Sequence, residues 1–160
     1  MGLEVHLAHM AGVRLIAGSR LKTDRIVFIF DSCVAGGMTE MAQRGHIVCM
    51  ATTKDGIAAE AGTMYDEEGN LIEINHGLFT FFLLGAFSGL VPEADPYDHD
   101  GNPETPDVTI EEAFNFASYS LIELTPMIQA GLEAFFGPDV AALWGTPVIL
   151  DWFRCQDLLL

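Results

Sequence analysis

The run Arg25-Ile26-Val27-Phe28-Ile29-Phe30-Asp31-Ser32-Cys33-Val34-Ala35-Gly36-Gly37 decides how this chain folds. Residues 25–30 are almost unbroken β-branched and aromatic side chains with no polar alternation, which predicts a strand covered on both faces in the middle of a parallel sheet. The strand ends at an Asp-Ser-Cys triplet followed by small residues and the paired glycines Gly36 and Gly37, a composition that permits a tight turn into a helix. Reactive groups in open α/β sheets gather at such carboxyl ends of strands. A thiol there becomes a nucleophile when a helix N-terminus, a base or a cation stabilises its thiolate, so Cys33 is the candidate nucleophile. A structural cysteine fits the same position.

Working outward, Val5, Leu7, Met10, Val13, Leu15 and Ile16 recur at helical spacing, and residues 4–21 are expected to form a helix weakened by Gly12 and Gly18. Downstream, a short helix over 39–43 and a second buried strand over 46–52 are expected. Residues 54–75 mix Gly, Asp, Glu and Asn without periodicity and predict a long loop, with a small hairpin about Glu68-Gly69-Asn70. Apolar residues surround the segment 77–90, which predicts a buried helix. An acidic, proline-containing loop over 92–107 leads to Thr109-Ile110-Glu111-Glu112, a capping-box start for an amphipathic helix that should run towards Leu124. Residues 125–145 carry no clear pattern, and Pro147-Val148-Ile149-Leu150 reads as a short edge strand. No repeat or boundary divides the chain, so residues 1–160 are expected to form one α/β domain.

The chain has 160 residues, 50% of them hydrophobic and 19% charged, which is the composition of a folded domain. Its net charge of −16 disfavours nucleic acid and anionic membrane surfaces and favours cationic partners. The apolar run 77–91 is interrupted by Thr80 and Ser88 and is too short to cross a bilayer. The first residues lack the basic start, apolar core and cleavage site of a signal peptide. Cys33, Cys49 and Cys155 match neither a disulfide framework nor a zinc motif, and Cys49, within Ile47-Val48-Cys49-Met50, reads as a buried small hydrophobe.

Hydrophobic strand, Asp31-Ser32-Cys33, one variable residue, a small residue and Gly36-Gly37 resemble the nucleophile motif of metacaspases and related caspase-like cysteine peptidases, including prokaryotic relatives of legumain. The likeness continues through His76-Gly77-Leu78-Phe79-Thr80 with its apolar helix, and through the acidic loop into Thr109-Ile110-Glu111-Glu112-Ala113-Phe114. It implies a mostly parallel caspase-like sheet flanked by helices. Cys33 would attack the scissile carbonyl to give an acyl-enzyme, with its own N–H and the turn at Gly36 and Gly37 forming the oxyanion site. Asp31 matches the acidic residue that lines the P1 pocket of metacaspases, implying a preference for Arg or Lys there. Equally, Asp31 fits a structural role, holding the turn by accepting backbone N–H groups.

The sequence departs from the family at the base. In these peptidases a His-Gly pair ends the strand preceding the nucleophile strand, whereas neither His6 nor His9 is followed by Gly, and both fall on the expected first helix. His76-Gly77 matches a position before the buried helix and is expected to help begin it; His46 and His99 read as surface residues. The resemblance therefore implies that the N-terminal strands carrying the partner histidine are missing from this chain. Such a piece would lack peptidase activity alone and would expose a sheet edge for self-association. The alternative is a non-catalytic pseudo-peptidase that binds a basic peptide or protein. The peptidase chemistry itself needs no cofactor. Calcium is a further candidate ligand, held by Asp95, Asp98, Asp100 and Glu112, although with Gly101 as the sixth position of a calcium loop the first falls on Pro96 and the twelfth on Asp107. An acidic solvated loop explains the same residues.

Overall fold

Ile26–Phe30 is strand β2, and all of its side chains are buried, because both faces of the sheet that it enters are covered. A computed structural model describes residues 5–7, 26–42, 45–65, 69–88 and 108–151 of the chain. Strand β1 (Val5–Leu7) pairs in parallel with β2, β2 pairs in parallel with β3 (His46–Met50), and β6 (Val148–Asp151) closes the order β1-β2-β3-β6 in the antiparallel sense. The chain is thus a mixed α/β fold around a mixed sheet, with β2 and β3 as its interior strands.

Period-two alternation divides the interior strands between two cores. Val27, Ile29, Ile47 and Cys49 face helices α1 (Leu78–Phe87) and α2 (Ile110–Phe136). Ile26, Phe28, Phe30, Val48 and Met50 point the other way, onto Ala35, Met38 and Met41 of a 3-10 helix over Ala35–Met41. That second layer explains why β2 shows no polar alternation.

His46 opens β3 and is buried, contrary to the expectation of a surface residue: its Nδ1 lies 2.9 Å from the Met41 carbonyl and its ring meets Phe28 edge-on. The helix expected over 4–21 is also corrected where it can be seen. Residues 5–7 are extended because the open edge of β2 offers backbone partners, which local spacing cannot reveal.

The loop expected over 54–75 contains a larger hairpin than the sequence indicates, β4 (Glu60–Tyr65) against β5 (Leu71–Gly77), with Gly69 in the left-handed region at φ 83°. Helix α2 begins at the expected capping box, in which Thr109 Oγ1 accepts from Glu112 N–H and Glu112 Oε2 accepts from Thr109 N–H. It does not stop near Leu124 but continues through Pro126 to Phe136. Proline removes one helical hydrogen bond; beside it, Thr125 Oγ1 donates to the Leu121 carbonyl and accepts from Trp144 Nε1, tying this part of α2 to the segment after helix α3 (Pro138–Ala141). β6 is the edge strand expected near 147–150.

Cys49 is fully buried, and burial, followed by the negative charges of Glu111 and Asp151, pushes its thiol far above the ordinary range. The folded state therefore keeps this proton when the unfolded chain begins to lose it near pH ~8.5. Its contribution is intact below that pH and is lost as the pH rises towards the folded value, by about 1.4 kcal/mol per pH unit. Urea titrations between pH 8 and 10 should show this decline, and Cys49→Ala should flatten it. An unchanged slope in the variant would exclude Cys49 as its source.

Candidate active site

The β2 strand delivers Asp31, Ser32 and Cys33 to the carboxyl end of the sheet, where the chain must turn before the 3-10 helix. Cys33 is exposed, and its Sγ lies 3.8 Å from the Ala58 carbonyl oxygen. Among the described residues no acceptor engages the Cys33 N–H. A thiol and an N–H without a described acceptor on one residue are the pairing that acyl transfer needs, a nucleophile beside a donor for developing negative charge.

Val34, not a glycine, takes the left-handed conformation of this turn, at φ 55° and ψ 22°. A β-branched residue is strained there and must be held by its surroundings; the Val34 N–H donates to the Gly56 carbonyl at 2.8 Å. The paired glycines then separate in role. Gly36 is buried with its Cα against the backbone of Thr53 and Lys54, leaving no space for a Cβ, whereas Gly37 meets nothing within 4 Å. Gly37 N–H instead donates to the Val34 carbonyl at 3.0 Å, closing the turn. The loop that carries Cys33 is therefore fastened to the segment that follows β3.

Asp31 bonds outside its own turn. Its Oδ2 accepts from the Thr80 N–H at 2.9 Å and from Thr80 Oγ1 at 2.6 Å, in the first turn of α1. A carboxylate at a helix N-terminus satisfies an orphan donor and complements the helix dipole. Gly77, which precedes α1, packs against the same carboxylate so closely that a Cβ there would overlap it. Asp31 thus caps α1 across 49 residues of sequence, a geometry different from the local turn bond weighed above.

Neither His46 nor His76 hydrogen-bonds Cys33 Sγ. His76 is exposed; its Nδ1 lies 3.2 Å from the Gly77 carbonyl and its ring stacks on Phe81. It lies in β5 just before α1, whose N-cap residue, Gly77, brings no side-chain cap. His6 lies on β1 opposite Phe28, and His9 and His99 fall outside the described residues.

The calcium quartet is seen in one member. Asp95, Asp98 and Asp100 lie outside the described residues, and Glu112 is engaged in the α2 capping box. No group of three or more His, Cys, Asp or Glu among the described residues is placed to hold a metal ion. Cys155 also falls outside them. No helix among the described residues is long and apolar enough to cross a membrane.

Several contributors to this site escaped the sequence reading: the Ala58 and Gly56 carbonyls, Val34 as the left-handed residue, and Thr80 as the partner of Asp31. The first two are backbone groups and leave no side-chain signature. Thr80 had one, a hydroxyl at the third position of a helix lacking its own capping side chain. Comparison with protein-family models, with curated proteins and with solved structures found no match to this chain.

Proposed function

We propose that this chain is the nucleophile-bearing part of a caspase-like cysteine endopeptidase that prefers Arg or Lys at P1. The observation that supports the reading most is the exposed Cys33 Sγ, at the carboxyl end of an interior parallel strand and next to its own N–H, which no described residue engages. Cys33 is the nucleophile, its N–H a donor to the oxyanion, and Asp31 the acidic group that meets the P1 cation. Neither His46 nor His76 hydrogen-bonds the thiol, and the general base in this reading is another histidine, in keeping with the His-Gly strand that the resemblance calls for. Turnover by this chain alone is therefore expected to be negligible, while a substrate-like electrophile should still find the site.

A peptidyl-Arg chloromethyl ketone should add once, at Cys33, and faster than its Leu counterpart; the thiol sulfur displaces chloride and its proton goes to solvent. Tryptic mass spectrometry locates the adduct, and Cys33→Ala should abolish it. Equal rates for the two reagents would falsify the basic preference. Reversible binding of Arg peptides without preferential labelling would favour the second reading, a pseudo-peptidase that holds a basic partner, for which the supporting observation is that neither His46 nor His76 hydrogen-bonds the thiol.

A further inference from the structure

Three constraints act on the Asp31 side chain, and all come from beyond its own loop. Thr80 donates its N–H and its hydroxyl to Oδ2, and the bare Cα of Gly77 presses on the carboxylate, leaving little room for another rotamer. Oδ1 accepts no hydrogen bond from any described residue. A carboxylate clamped by one oxygen presents the other in a fixed direction, whereas an unclamped aspartate would spread its charge over several rotamers. Charge-assisted recognition of a guanidinium or ammonium depends on that direction.

From this geometry we infer that Thr80 is the positioning residue of the P1 site: by holding Oδ2 it aims Oδ1 of Asp31 at the substrate cation. The inference rests on the peptidase reading above. It makes Thr80, which never touches substrate, a determinant of selectivity. If Thr80 served only to begin α1, its loss would lower stability and leave selectivity alone.

The test compares labelling of Cys33 by the Arg and Leu chloromethyl ketones in the full chain, below the melting range of every variant. Thr80→Val, nearly isosteric but without the hydroxyl, should slow the Arg reagent about tenfold and leave the Leu rate unchanged. Thr80→Ser, which restores the hydroxyl, should recover the Arg rate. An unchanged ratio, a parallel fall of both rates, or failure of serine to rescue would each overturn the inference. Nuclear magnetic resonance separates this outcome from failure of the underlying reading, since Asp31→Asn should move the Thr80 amide resonance whatever the chain does. If the amide responds to Asp31→Asn but the wild type shows no Arg preference, the contact is real and the peptidase reading fails, taking the inference with it. If the preference is present and Thr80→Val keeps it, the inference alone is lost.

Discussion

Gly36→Ala should destabilise the fold by at least about 2 kcal/mol, while Gly37→Ala should shift it by no more than about 0.5 kcal/mol. The two glycines are adjacent and look equivalent in sequence. At position 36 a new methyl group meets the main chain of Thr53 and Lys54, 2.9 Å from the Thr53 Cα, and main-chain atoms cannot rotate aside as the tip of a side chain can. Relief requires the Cys33 loop to move away from residues 53–56, which also stretches the Val34 to Gly56 hydrogen bond. At position 37 the new methyl enters open space, and neither glycine is among the residues with positive φ. Urea denaturation of both variants checks the ratio. Comparable losses would mean that the turn, not the contact with residues 53–54, sets the requirement for glycine. In Gly36→Ala, labelling of Cys33 by the Arg reagent should also slow, because the loop that presents the thiol is the part forced to shift.

The interior of this fold could be read from residues 25–30 and 46–50 because burial on both faces leaves a direct mark, the absence of polar alternation. Helix α1 was legible from its apolar run, although it buries only Phe79, Leu83 and Ala86 and leaves Leu84 exposed rather than being buried all round; the start of α2 was legible because a capping box is a local device carried by Thr109 and Glu112. What could not be read depends on partners distant in sequence. Residues 5–7 became a strand through the edge of β2, and α2 outlived Pro126 while Trp144 bonds the residue before it. His46 looked like a surface residue because nothing nearby in sequence announces Phe28.

The same division runs through the candidate site. Cys33 and its place at a strand end were visible in the sequence, as was a structural claim on Asp31. The identity of the donors to Asp31 was not, since Thr80 lies in another element. The glycine pair was recognised as a turn signal, but the left-handed residue proved to be Val34. A sequence motif therefore indicated which atoms are present at the site more reliably than which contacts orient them.

Phe79→Ala should cost about 3–5 kcal/mol, the range for emptying a large buried aromatic site and enough to consume much of the stability of an ordinary domain. Phe79 is 2% exposed, lies in the first turn of α1, and meets Phe114 of α2 edge-to-face at 5.9 Å between ring centroids. Its removal leaves a cavity between the two helices and the sheet, and it weakens the turn whose Thr80 holds Asp31. Phe135 offers the matched control: the same residue type, near the end of α2, is 85% exposed, and Phe135→Ala should change stability by less than about 0.5 kcal/mol. A double-mutant cycle with Phe114→Ala should return a coupling of roughly 0.5–1.5 kcal/mol for the ring pair. Zero coupling with a large single-site loss would assign the cost to cavity formation alone. A small loss at Phe79 would contradict the packing of α1 against α2 and, with it, the frame that sets Thr80 opposite Asp31.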